Sequence, residues 1–373
     1  MKLILSISAL LFLWSCRKDP GIITPLPEMD SLAPMLPETM YDYESILYPS
    51  HIANDPVLAP IFNLNSANPV TNEGATLGRV LFYDKNLSFN NAVSCASCHH
   101  QEHAFSDTAI FSKGFQGDLT GRNAMAIYNV NINSTFFWDS RAATIEEQAL
   151  MPVQHPFEMG MTLDQLEVKL TALSYYKTLF ETAFGSTEIT STRIALALGQ
   201  FMKAMRSFRS KYDQGVENNF ASFTPQEMQG HEIFTSEAAR CSNCHNSQNF
   251  GGITQRNNGL DAVFSDEGIG ALTGNSSDIG KFKSTSLRNI ELTAPYMHDG
   301  RFKTLEDVVD YYSADINAHP NLDDLLTTNM TVGGPPLQLD FTKSERAALV
   351  AFLKTLTDYE FINDIRYSNP FMH

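Results

Sequence analysis

Cys95-Ala96-Ser97-Cys98-His99 and Cys241-Ser242-Asn243-Cys244-His245 decide how this chain of 373 residues is read. Each is a C-x-x-C-H pentapeptide, the attachment signature of c-type haem. Two thiols at that spacing add across the two vinyl groups of one porphyrin, and the adjacent histidine reaches the iron as its proximal ligand. Cys95, Cys98, Cys241 and Cys244 are therefore expected to carry two covalently bound haems, with His99 and His245 as axial ligands. A pair of zinc or redox C-x-x-C motifs would use the same cysteines, but it leaves the adjoining histidine unexplained in both copies. The histidines just past the first motif, His100 and His103, read as solvated loop residues rather than extra ligands.

The fifth cysteine, Cys16, belongs to a different signal. Lys2 followed by the apolar stretch Leu3 to Trp14 has the form of an export signal, too short to span a membrane. It ends in Leu13-Trp14-Ser15-Cys16, which resembles a bacterial lipoprotein box with an unusually bulky Trp14. Residues 1–16 are thus expected as a signal peptide ending at a lipidated Cys16; a soluble periplasmic protein cut nearby is the alternative. Either way the compartment is the periplasm, where c-type haem is attached. Residues 17–50, with Pro20, Pro25, Pro27, Pro34 and Pro37, read as a flexible tether. The formal charge of −16 argues against a nucleic-acid partner and favours a basic protein partner or none. A membrane is expected to be met only through the lipid.

Beyond the tether the chain repeats itself. Gly78-Arg79-Val80-Leu81-Phe82 precedes the first motif and Gly230-His231-Glu232-Ile233-Phe234 the second. At an offset of 160, Asn129, Asp139, Arg141, Thr144 and Glu146 match Asn289, Asp299, Arg301, Thr304 and Glu306 in type. The pattern implies an internally duplicated haem domain, here divided as 51–220 and 221–373. Leu163 to Phe180 and Thr192 to Tyr212 have helical apolar spacing, the first after the cap residue Thr162. Thr342 to Thr357 begins with a Thr342/Glu345 capping box. No segment alternates convincingly as a strand, so the expected fold is mainly α, two c-type cytochrome domains.

The repeat also compares the two irons at their sixth position. Tyr312, at the end of the helix starting at Thr304, falls opposite Pro152 at the end of the helix starting at Thr144. A phenol there would close one haem for electron transfer, while proline, which cannot ligate, would leave the other open. Met297, a soft ligand nearby, remains the alternative to Tyr312; its own counterpart is Phe137.

With these residues stand Phe137-Trp138-Asp139-Ser140-Arg141-Ala142, Pro156-Phe157-Glu158-Met159-Gly160, Leu287-Arg288-Asn289 and Ala294-Pro295-Tyr296-Met297-His298-Asp299-Gly300-Arg301-Phe302. Together, over about residues 55 to 360, the chain resembles the bacterial di-haem cytochrome c peroxidase and MauG superfamily. The resemblance implies an enzyme that reduces hydrogen peroxide at the haem of His99. Electrons would enter through the haem of His245 from a small cytochrome c or cupredoxin. It implies Glu158 as the acid–base carboxylate, with Gln148 and Pro152 completing that pocket and Trp138 between the haems. It further implies a calcium ion held by Asn123 and backbone carbonyls near Lys283 to Thr285, and a dimer as the common assembly of the class. Two departures favour the MauG branch. Tyr312 stands where cytochrome c peroxidases have a methionine, and the loop Ile110 to Leu119 lacks the histidine that many of them carry. A MauG-like oxidase acting on a protein or small organic substrate is the alternative, and a non-catalytic electron-transfer cytochrome the third reading.

Overall fold

Each C-x-x-C-H pentapeptide hangs from a helix that crosses a second helix at a glycine. The computed structural model describes residues 33–371 apart from positions 47, 57, 59–66 and 253. The signal segment and Cys16 lie outside the described residues. Numbering the helices of seven residues or more, α1 is Asn72–Tyr83, α2 Ile145–Gln154, α3 Leu163–Thr171, α4 Ser174–Phe184 and α5 Ser191–Ala204. They are followed by α6 Lys211–Glu217, α7 Pro225–Thr235, α8 Leu305–Ala314 and α9 Lys343–Lys354. Helix α1 leads to Cys95 and crosses α5; α7 leads to Cys241 and crosses α9. A Cβ on Gly78 would stand 2.0 Å from the Ala197 carbonyl oxygen, and one on Gly230 1.9 Å from that of Ala348. Only glycine lets the backbones meet so closely, which explains the shared Gly-x-x-x-Phe of the two leading helices.

Phe82 and Phe234, one turn beyond those glycines, anchor two separate cores. Phe82 packs with Leu77, Phe105 and Phe201; Phe234 packs with Phe250, Leu349 and Phe352. Each such buried side chain contributes roughly 1.5–3 kcal/mol relative to an exposed one. A third cluster of Leu260, Phe264, Phe282, Tyr311 and Leu322 receives Trp138, Met297 and Tyr312 at its edge. The first core also takes in Phe361 and Tyr367 from the far end of the chain. Tyr367 Oη donates to the Ala204 carbonyl at 2.7 Å, and Arg79 Nε to that of Ser368 at 2.6 Å. The division at residue 220 is therefore crossed by the chain's last dozen described residues.

The offset of 160 has a geometric counterpart. Asn129 and Asn289 are both left-handed (φ 51° and 57°), as are Phe137 and Met297 (67° and 73°). Short 3-10 turns follow at Val130–Ile132 and Ile290–Leu292, and Thr144 and Thr304 cap α2 and α8.

Two helical expectations need correction. The segment from Leu163 to Phe180 breaks into α3 and α4, because the chain turns at Ala172-Leu173 so that Leu170 and Leu173 both reach the core. Thr192 to Tyr212 ends as a helix at Ala204. Asn129 N–H donates to the Met205 carbonyl, Asn129 Oδ1 accepts from Ser207 N–H, and Asp358 accepts from Arg209 N–H. Those distant partners outcompete the helical ladder. Two residues of strand, Gln255–Arg256, pair antiparallel with Phe282–Lys283 in the part of the chain without helical periodicity. The end of the expected tether is fastened at Tyr43, which is fully buried and whose hydroxyl donates to the Arg366 carbonyl at 2.7 Å. Among the described residues no helix is long and apolar enough to cross a membrane.

Candidate functional site

The first motif forms a short 3-10 turn, Cys95–Ser97, fixed by Ser94 N–H donating to Ser97 Oγ at 2.9 Å. The chain then doubles back so that the Phe105 carbonyl, at a left-handed residue (φ 59°), lies 2.8 Å from His99 Nδ1. A carbonyl only accepts, so Nδ1 carries the proton and Nε2 keeps its lone pair for a metal. The second motif repeats this. His245 Nδ1 lies 3.2 Å from the carbonyls of Phe250 and Thr285, and Phe250 is again left-handed (φ 52°). Burial lowers the pKa of both imidazoles against these hydrogen bonds, which favours the neutral, ligating form.

Burial pushes the thiols of Cys95 and Cys241 up to about 12, and those of Cys98 and Cys244 up to about 11. A nucleophilic redox pair needs the opposite shift. None of the four is in a disulfide. Half-buried, protonated thiols beside an oriented histidine suit a porphyrin's vinyl groups. Beside the second motif a cavity of about 280 Å³ is lined by Cys241, Cys244, His245, Met297 and Tyr312, and also by Trp138 and His298. The residues present therefore fit a haem.

Both candidates for the sixth ligand converge on one side chain. Asn258 Nδ2 donates to Tyr312 Oη at 3.2 Å and stands 3.8 Å from Met297 Sδ. Burial pushes the Tyr312 phenol up to about 12, partly opposed by that amide, which stabilises the phenolate a ferric iron would select. Asn258 sits in the Gly-rich stretch that the first half lacks, so the repeat gave no signal for it.

Around the first motif the geometry differs. Pro152 occupies the last turn of α2, and Gln148, four residues earlier, shares its face. The Gln148 side chain makes no hydrogen bond among the described residues. The following loop folds back on Pro152, whose carbonyl accepts from Met159 N–H at 3.2 Å, and this sets Glu158. The Glu158 carboxylate acts electrostatically on both Cys95 and Cys98. Burial raises its pKa above the ordinary 4.5, opposed by the charges of His155 and Arg141. His155 Nδ1 is 3.4 Å from Glu158 Oε1, a contact that only the i, i+3 spacing could have suggested.

Trp138 bridges the two halves. Its Nε1 donates to the Asn123 carbonyl at 2.9 Å, and its ring meets His298 edge-on at 6.4 Å. Asn123 is buried and donates through Nδ2 to the Ala109 and Ile110 carbonyls. Among the described residues no group of three or more His, Cys, Asp or Glu gathers as a metal site. His100 is half-buried, with Nε2 3.9 Å from Asp107, and so is not simply solvated.

The fold and site thus define a mainly helical protein with two unequal C-x-x-C-H centres, a carboxylate beside the first and a buried phenol beside the second. Residues 72–220 match the family model described as di-haem cytochrome c peroxidase. The cytochrome c551 peroxidase of Nitrosomonas europaea is 33% identical over 302 residues, covering 80% of this chain and 84% of that one. The methylamine utilization protein MauG of Methylorubrum extorquens is also 33% identical, covering 78% and 80%. A MauG-like protein associated with microbial copper homeostasis superposes with a TM-score of 0.74 at 36% identity, over 82% of this chain and 95% of that one. The chain belongs to the di-haem cytochrome c peroxidase family.

Proposed function

We propose that this chain is a di-haem c-type peroxidase that reduces hydrogen peroxide to water with electrons from a small redox protein. Peroxide would meet the haem of His99, and electrons would enter through the haem of His245. The observation that carries the reading is Glu158, a raised carboxyl beside the first motif only. When bound, haem supplies the electron-accepting and electron-donating chemistry at its iron. The chain's residues do the rest. Pro152 offers neither a ligand nor a donor, so that face stays free for peroxide. Glu158 takes the proton from one peroxide oxygen and returns it to the other, the overall demand being two electrons and two protons for two waters. Gln148 can orient the bound peroxide. Trp138, between the two motifs, offers an aromatic step for the electron.

The Asn258-supported Tyr312 favours a second reading, a MauG-like oxidase acting on a protein or small organic substrate. To separate the two, the purified holoprotein is mixed with peroxide and a reduced basic cytochrome. Rapid donor oxidation that vanishes in Glu158→Gln supports the peroxidase; no turnover with any carrier, beside a long-lived oxidised haem pair, supports the oxidase. Two six-coordinate low-spin haems in every redox state would leave only an electron-transfer cytochrome.

The remaining parts of the reading are two thioether-bound haems on duplicated domains, export with a lipid on Cys16, and a dimer. The paired left-handed residues and glycine crossings support the duplication. A calcium ion at Asn123 completes it. The Ser284 and Thr285 carbonyls already accept from Gly252 N–H and His245 Nδ1, which leaves each one lone pair for an ion.

A further inference from the structure

Lys283 and His298 contribute to the lining of the cavity beside the second motif. Lys283 is 7% exposed, and its ammonium donates to the Thr135 carbonyl at 2.6 Å. An ammonium has three donors; among the described residues one makes a hydrogen bond, the Phe136 ring lies 5.7 Å away, and no carboxylate pairs with it. Holding an ammonium this far from water without a counter-charge is costly, so such groups are normally paired. His298, which lines the same cavity, is 6% exposed, with its ring stacked on Phe282 at 3.8 Å and 15°. Neither of its ring nitrogens makes a hydrogen bond among the described residues. Both residues line the same cavity as Cys241, Cys244 and His245.

Their place in that cavity is informative. Lys283 and His298 both adjoin Trp138, Lys283 through its backbone N–H on the Trp138 carbonyl and His298 through its ring, edge-on at 6.4 Å. A haem c presents its thioether carbons on one edge and its two propionates on the opposite edge. We propose that Lys283 and His298 receive a propionate carboxylate of the haem held by Cys241, Cys244 and His245. This rests on the two-haem reading above. The ammonium gains its missing counter-charge, and the imidazole gains an acceptor. Lys283 N–H also donates to the Trp138 carbonyl at 2.8 Å, so the same residue ties that haem edge to the tryptophan between the motifs.

The test uses holoproteins carrying Lys283→Met, Lys283→Arg and His298→Gln, with the midpoint potential of each haem read by spectroelectrochemistry. Removing a cation beside the propionate favours the ferric form. The second haem of Lys283→Met is therefore expected to shift its reduction equilibrium at least tenfold toward oxidised, about 59 mV downward for one electron. The first haem should shift less, and Lys283→Arg should stay near wild type. A second-haem equilibrium within twofold of wild type overturns the proposal, as does a shift confined to the first haem. If Lys283→Met does not accumulate with two haems, the other two variants carry the test. The propionate bending bands of the low-spin haem should move in the resonance Raman spectrum of His298→Gln and stay near wild type in Lys283→Arg; unmoved bands in His298→Gln overturn the proposal. Haem content keeps the two failures apart. A wild-type chain with fewer than two covalent haems sinks the parent reading, whereas two haems with unmoved potentials sink this one alone.

Discussion

Arg288→Met should destabilise the protein by about 3–5 kcal/mol, the range for removing one partner of a buried ion pair. Arg288 is fully exposed to protein and not to water, at 0% accessibility. Its Nη1 and Nη2 each donate to an oxygen of Asp213 at 2.8 Å. Nε and Nη2 donate to the Gln248 carbonyl at 2.9 and 2.6 Å, and the guanidinium stacks 4.6 Å over Phe208. Methionine fills much of the volume but leaves Asp213, itself 2% exposed, with only His51 and Ser210. At about 1.4 kcal/mol per decade, the folding equilibrium should fall by roughly two to three and a half decades. Urea denaturation followed by circular dichroism reads this directly. The double variant Arg288→Met/Asp213→Leu removes both charges and should recover most of the loss. A single variant costing under about 1 kcal/mol, or a double variant no better than the single, refutes the argument that an uncompensated carboxylate sets the cost. The site matters because α6, which carries Asp213, joins the two halves, while the Arg288 carbonyl accepts from Tyr128 Oη of the first half.

The pH dependence of stability follows from the same pair. Burial alone would raise the Asp213 carboxyl, but Arg288, His51 and Ser210 outweigh it and hold it well below the ordinary 3.8. A depressed carboxylate stabilises fully above its unfolded pKa, and that stability is lost as the pH falls toward the folded value. Acid titration of the Arg288→Met/Asp213→Leu variant should therefore lose stability less steeply below about pH 4 than wild type. Glu158→Gln should lower kcat/KM for peroxide by about 10²–10⁴, read by stopped-flow absorbance. Because Glu158 acts ionised and burial raises its pKa, the acid limb of the wild-type profile should lie above 4.5 and disappear in the variant. If Tyr312 is the sixth ligand, Tyr312→Phe should change the low-spin spectrum of the second haem while Met297→Leu leaves it. The opposite pattern assigns the methionine.

Much of this protein is written locally. The C-x-x-C-H spacing is fixed by the geometry of one porphyrin edge, so it can be read wherever it occurs. Capping is local too: Thr342 and Glu345 exchange hydrogen bonds at 2.8 and 3.3 Å, as their spacing predicts. The paired Asn, Asp, Arg, Thr and Glu at offset 160 mark corresponding turns because each half must place its left-handed residues alike. Glu158, Pro152 and Tyr312 stand out only through the repeat and the resemblance, since nothing in their sequence neighbours marks their chemistry.

Tertiary structure decided what depends on partners far apart in the chain. The breaks after Thr171 and Ala204 have no Pro or Gly to announce them; core burial in one case and hydrogen bonds from Asn129 and Asp358 in the other override helical propensity. Residues 33–50 look like a tether by composition, yet Tyr43 finds its place only once the chain's end has brought Arg366 beside it. Asn258 meets Tyr312 across 54 residues, and Lys283 meets Thr135 across 148. Composition and spacing are local properties, whereas desolvation and hydrogen-bond partnership are settled only when distant segments share one buried space. The two C-x-x-C-H motifs could thus be read from the sequence as a pair. The packed structure adds the partners that sharpen their difference, His155 and Arg141 around Glu158 and the Asn258 amide on Tyr312.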